Sequence, residues 1–230
     1  ENDRSGPDFP GGFAHHVRVS VPAKILYQGY CGRQCERMTE MKVVSISSCP
    51  WGGSYRPKAW AAVHCGPDQF EFCLWCEEES PVIRYTEPNS PVYLDSCLEV
   101  FLRPFPQKNE YLNFEMNASG ALLLQIGSER KGRRFLHAED FPGCYPEVFP
   151  FREQACWGVR LSVPTAFLQT VCEISAQPDP SDFEGNFYKC GDLPAHFLCW
   201  NPVESESPDF HRPEFFASFA PLWNESDHKN

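Results

Sequence analysis

The chain has 230 residues, with 20 Lys and Arg against 31 Asp and Glu, a formal charge of −11, and it contains 22 Pro, 15 Gly and 12 Cys. The acidic balance argues against nucleic acid and anionic membranes as partners, since both need clustered basic residues. No apolar run approaches the roughly 20 residues of a membrane helix.

Residues 1–16, with Gly-Pro and Gly-Gly steps and His15-His16, carry no periodic pattern and read as a flexible lead-in. One domain is expected over residues 17–221, and residues 222–230 read as a flexible tail. Cys31, Cys35 and Cys49 form a loose group suited to a metal or a disulfide. Period-two apolar alternation then marks strands at Met41–Ile46, Ala59–Cys65 and Phe70–Glu77, the last two joined by Gly66-Pro67-Asp68. Cys73-Leu74-Trp75-Cys76 is a CxxC, but within a strand its thiols point to opposite faces, which is poor zinc or redox geometry. Trp60 reads as core, and Trp75 as a cleft or rim aromatic. Further strands are expected at Leu98–Arg103, Tyr111–Asn117, Ala121–Ile126, Cys156–Val163, Asn186–Cys190 and Phe197–Trp200. A short helix is expected at Thr165–Val171, after Pro164. The run Arg130-Lys131-Gly132-Arg133-Arg134 reads as a solvated loop. Many short strands in one domain make the chain all-β, a two-sheet antiparallel β-sandwich with one helix. Cys65, Cys97, Cys156, Cys172 and Cys199 lie in or beside apolar runs and are expected as free thiols acting as small hydrophobes. Such thiols tilt the compartment toward a reducing, bacterial cytoplasm, with secretion left open because the chain starts at Glu1. The sequons at Asn117 and Asn224 arise often by chance.

The chemistry concentrates in one predicted hairpin. Leu98, Val100 and Leu102 share a face with Leu112, Phe114 and Met116, leaving Glu99, Phe101, Arg103, Tyr111, Asn113, Glu115 and Asn117 on the other. A loop centred on Gln107 pairs Phe101 with Asn113 and Glu99 with Glu115. Two opposed carboxylates about 5 Å apart at Cβ need a cation, a shared proton, an Arg or a hydroxyl between them. A register shifted by two residues would instead leave a merely wet face. Rings with planar amide, carboxylate and guanidinium groups on one sheet suit the C–H faces and paired hydroxyls of a sugar.

These residues also carry a resemblance. Pro91 to Leu102 (PVYLDSCLEVFL) resembles the D-S-x-V-E-x-F signature of family 9 carbohydrate-binding modules, and Tyr111 to Gly120 is similar to the strand that follows it. Trp157 with Leu161-Ser162-Val163-Pro164, Gly185 to Asp192, Trp200-Asn201-Pro202, and Asp209 to Phe216 resemble later blocks, so the likeness spans about residues 58–219. The resemblance implies a jelly-roll, DOMON-like sandwich without catalytic apparatus, which binds a mono- or oligosaccharide in a cleft of aromatic rings, carboxylates and amides. It implies Glu99 as the sugar-contacting carboxylate, Tyr93 as one aromatic wall, and Trp200 beside Asn201 as the second. Arg103, Tyr111, Asn113 and Glu115 complete the expected carbohydrate-binding set. No cofactor is required, though calcium is common in the family, and Asp95 is the candidate ligand for Ca2+ unless it caps backbone N–H groups. The expected partner is a carbohydrate, with action alongside glycoside hydrolases on polysaccharide. His211 could contact the ligand or cap a turn.

Two other readings stay in view. A glycoside-active enzyme would use Glu99 and Glu115, because Asp95 and Glu99 on one strand would lie about 13 Å apart, beyond the roughly 5 to 9.5 Å that glycoside hydrolysis requires. The other is a sandwich whose cleft has become a structural or partner-binding surface.

Overall fold

The structure is a computed structural model describing residues 41–223. The expected lead-in and the Cys31 and Cys35 pair lie outside the described residues, as does Asn224. Among the described residues, twelve strands, all antiparallel, form two sheets. They are β1 (Val43–Ser45), β2 (Ala59–Cys65), β3 (Gln69–Glu77), β4 (Cys97–Arg103), β5 (Tyr111–Asn117), β6 (Leu122–Gly127), β7 (Arg134–Phe135), β8 (Glu147–Glu153), β9 (Cys156–Pro164), β10 (Glu184–Asp192), β11 (Ala195–Cys199) and β12 (Ala217–Ser218). One sheet runs β1-β2-β3-β9-β8, and the other runs β11-β10-β4-β5-β6-β7, with β12 also paired to β10. The helix α1 (Thr165–Cys172) follows Pro164 and buries Phe167, Leu168 and Val171. Among the described residues no helix is long and apolar enough to cross a membrane.

The alternation read from the sequence is the one that builds the core. Leu98, Val100 and Leu102 of β4 and Leu112, Phe114 and Met116 of β5 face Phe72 and Leu74 of β3 and Val159 and Leu161 of β9 across the sandwich. Each fully buried side chain of this kind contributes about 1.5–3 kcal/mol of hydrophobic stabilisation. Cys76 joins this core while Cys73 lies on the outer face of its sheet with Trp75 and Ala62, so the CxxC thiols do diverge. Trp60 is not core: it stacks on Trp75 on that outer face, 6.0 Å between centroids. Trp75 is therefore neither cleft nor rim.

Three features depart from the sequence reading. Strand β8 lies where no strand is expected from the sequence, because Pro150 and its exposed residues mask an edge strand that, among the described residues, pairs only with β9. The chain does not fray at residue 222: Leu222 and Trp223 are buried in the core, and Trp223 Nε1 donates to the Pro180 carbonyl at 2.7 Å. Cys97, Cys172 and Cys199 are buried free thiols, but Cys65 and Cys156 are only half-buried.

A charged group also sits on the core-facing side of β10. Lys189 follows the parity of Phe187, and its fully buried ammonium lies 3.4 Å from Glu78 Oε2. It donates to His196 Nε2 at 2.8 Å and to the Cys190 carbonyl at 2.9 Å. Burial, with Lys189 beside it, lowers His196 to about 4, so the ring is neutral and its Nδ1–H donates to the Pro194 carbonyl. Glu78 also accepts from Trp157 Nε1 and from the Tyr55 hydroxyl. Burial alone would raise the Glu78 carboxyl, yet Lys189 and these donors hold it below the usual range.

A carboxyl held low in the fold binds fewer protons there than in the unfolded chain. Its stabilisation is complete above the unfolded value near 4.3 and is lost as pH falls through the lower folded value. Glu78→Gln leaves Lys189 without its counter-charge and should cost about 3–5 kcal/mol in urea unfolding at neutral pH. The loss should shrink as pH falls from about 4.3, where the unfolded chain takes up the proton, toward the lower folded value at which Glu78 is protonated in the fold as well.

Candidate functional site

The outer face of the β10-β4-β5-β6 sheet is where the polar residues of the predicted hairpin come together. The register pairs Phe101 with Asn113 and Glu99 with Glu115, as the loop length indicated. This face is covered by two loops, residues 78–96 and 200–216, so it is buried on both sides and its polar groups must find partners within the protein.

Asp95 fastens the first loop. Its Oδ2 accepts from the backbone N–H groups of Arg84 and Tyr85 and from Asn117 Nδ2, and its Oδ1 accepts from Arg84 Nε at 3.0 Å. Burial would raise the Asp95 carboxyl, but these donors outweigh it and keep it below the ordinary value. With a guanidinium and three N–H groups already on its oxygens, this set does not suit calcium. Asp95 is a loop anchor. Asn117 completes the joint: its Nδ2 also donates to the Tyr85 carbonyl, while its Oδ1 accepts from Ser119 N and Oγ. Gly120, at φ +85, closes this turn where a Cβ would strike Pro150. Asn117 is fully buried, so its sequon is structural.

A second amide pair fastens the other loop. Asn186 Nδ2 donates to the Asn201 carbonyl, the Asn201 N–H donates back to Asn186 Oδ1, and Asn201 Nδ2 donates to the Phe215 carbonyl. Tyr188 stacks flat on Phe210, 4.0 Å between centroids, and its hydroxyl donates to the Phe210 carbonyl. Trp51 braces the same ring and donates to the Ser205 carbonyl.

Between the loops lies a cleft of about 480 Å³. Glu99, Glu115, Gln125 and Cys190 are among its sheet residues, Tyr93 comes from the first loop, and Phe210 and His211 come from the second. Arg130 lines it as well, 3.7 Å from Asp209. Tyr93 is 47% exposed, so its ring is open to solvent where it lines the cleft. The Glu99 Oε1 accepts from the Cys190 thiol at 2.9 Å, and Glu115 Oε1 accepts from Asn113 Nδ2 at 2.8 Å. Glu115 Oε2 is buried and has no hydrogen-bond partner among the described residues. Burial, then Cys190 and Glu115, push Glu99 well above the usual carboxylate range. Burial also raises Glu115, against the Asn113 hydrogen bond and Arg133. The pair is thus poised to share protons or to accept from a ligand's hydroxyls. His211 is lowered to about 3 by burial and by Arg133 and Arg130, so it lines the cleft as a neutral ring, bonded to the Tyr111 hydroxyl at 2.9 Å.

Of the residues predicted for the site, Tyr93, Glu99 and Glu115 line the cleft. Asn113 and Tyr111 stand just behind it. Arg103 is turned away, paired with Glu184 and lying over the Phe216 ring. Trp200 is not the second wall: it packs on Phe187 and Phe219 at the core side. Asn201 is a loop anchor, and the aromatic in the second loop is Phe210. Arg133 was missed in a run that reads as solvated. It donates to Asn113 Oδ1 and to the Tyr111 carbonyl, and its guanidinium lies 4.2 Å from the Tyr111 ring centroid.

The comparisons agree with this architecture. The family model described as Carbohydrate-binding family 9 matches residues 35–220. No curated protein matches the chain. Among solved structures, the chain is similar to a candidate carbohydrate-binding protein from Bacteroides uniformis, at 27% identity and a TM-score of 0.67, covering 80% of this chain and 87% of that one. A carbohydrate-binding module of family 9 from Caldicellulosiruptor kristjanssonii, solved with glucose, is similar in fold at 8% identity and a TM-score of 0.53, covering 82% and 86%. The structure with cellotriose gives 9% and 0.50, covering 77% and 80%.

Asp95→Ala removes the acceptor shared by four donors and should cost about 3 kcal/mol of stability. Amide hydrogen exchange should quicken in residues 82–95 more than in β9.

Proposed function

Because this chain belongs to carbohydrate-binding family 9, we propose that it binds a mono- or oligosaccharide in the cleft between its two anchored loops, without cleaving it. The observation that carries this reading is the floor of the cleft. An unpartnered, buried Glu115 oxygen beside Glu99 needs a hydrogen-bond donor, and a pair of sugar hydroxyls supplies donors at the spacing of opposed carboxyls. Tyr93, held open at the rim, offers a ring to the C–H face of a pyranose, and Phe210 offers a second apolar surface. A cleft of about 480 Å³ lies within the roughly 300–1,000 Å³ of small-ligand sites. Binding here would keep the protein on polysaccharide alongside the hydrolases that act on it.

The pairing of Glu99 with Glu115 also gives a specific reason to test hydrolysis, since opposed carboxyls can reach the roughly 5–5.5 Å of a retaining glycosidase. Incubation with aryl glycosides should release no phenol.

Glucose and cellotriose are the probes for binding, read by calorimetry. Glu99→Gln keeps the shape but puts an NH2 group where a carboxyl oxygen stands, so affinity should fall roughly 5- to 150-fold, as expected for the 1–3 kcal/mol of a buried polar group left unsatisfied. The melting temperature should stay close to that of the wild type. Tyr93→Ala should weaken binding less, by about 1 kcal/mol of lost ring contact. Unchanged affinity in Glu99→Gln would overturn the reading.

A further inference from the structure

Cys97 of β4 and Cys190 of β10 stand directly opposite each other in the ladder, next to Glu99. The two sulfurs and a Glu99 oxygen all lie within 4.8 Å of one another, and all three residues are buried. Glu99 and Cys190 nevertheless line the cleft, so an ion entering it reaches them. A second observation points to the same place. Glu115, directly across from Glu99, carries the unpartnered oxygen. Two thiols and one carboxyl thus share one spot with a second carboxyl across the ladder, and the neighbouring cations are turned elsewhere. Lys189 points to the other face of the sheet, toward His196 and Glu78, and Arg133 donates to Asn113 and the Tyr111 carbonyl.

Two sulfurs and one oxygen suit a borderline-soft, tetrahedral divalent ion, with Zn–S near 2.3 Å and Zn–O near 2.0–2.2 Å. Calcium and magnesium take oxygen donors and would not choose this set. We propose that Cys97, Cys190 and Glu99 bind a zinc-class divalent cation on the floor of the cleft. Each thiol, and the Glu99 carboxyl with them, gives its proton to solvent as its bond to the metal forms. Because Glu99 and Cys190 line the cleft, a water or a ligand oxygen from the cleft can take the fourth position. The site does not depend on sugar recognition, because the ligands are the chain's own side chains and the readout needs no sugar.

The test titrates the reduced full chain with Co2+ in the absence of air. One equivalent should develop sulfur-to-cobalt charge-transfer absorption in the near ultraviolet with tetrahedral bands in the visible, and Zn2+ should bleach both. Cys190→Ala and Glu99→Gln should weaken Co2+ binding roughly 100-fold or more, at or beyond the upper end of what loss of a supporting group costs. Cys65→Ser, on the other sheet, should leave it unchanged. Near-ultraviolet circular dichroism checks that each variant is folded. If Cys190→Ala is not, the isosteric Glu99→Gln carries the comparison. Absence of a charge-transfer band in the folded wild type, or a band that persists at full affinity in Glu99→Gln, would overturn the proposal.

Discussion

The cleft depends on one requirement: a sheet buried on both faces must satisfy every polar group it hides. Asp95 meets it on one side, gathering four donors onto a carboxylate with no exposed surface. Asn186 and Asn201 meet it on the other with a reciprocal amide pair. An unmet buried polar group costs about 1–3 kcal/mol or more, so the loops cannot lift away cheaply. Their positions over the sheet, and with them the space between, follow from those two joints.

Against that background the floor is an exception. Glu99 and Glu115 are opposed and buried, and Glu115 Oε2 is the one buried side-chain N or O atom among the described residues without a hydrogen-bond partner. A sheet gains nothing from like charges face to face. Burial answers part of the cost by raising both carboxyls toward their protonated forms, and a ligand with donors or positive charge answers the rest. The floor is therefore tuned to what arrives.

The hairpin was legible because two independent signals agreed. Apolar alternation shows which face of each strand is core, and a loop centred on Gln107 gives the observed pairing of Glu99 with Glu115. A register shifted by two would keep the same faces and had to be excluded by the structure. The errors are equally physical. Trp200 was assigned to the cleft by its likeness to a clamp position, although it shares the parity of Leu198, which points to the core. Lys189 also follows core parity after Phe187, but no pattern reveals that Glu78 and His196 would make a charge tolerable there. Phe210 and Arg133 lie in loops, where no period tells which way a side chain turns. Cys97 and Cys190 are 93 positions apart, so the ladder joins what local spacing keeps separate.

Both loop anchors stand outside the cleft they position. The exposed side chains at Tyr93 and at residues 206–208 can be exchanged without touching Asp95, Asn117, Asn186 or Asn201. The strands act as a chassis and the loop tips as removable jaws. Grafting new tips onto this chassis would re-address it to another glycan while its carboxylate bed stayed in place.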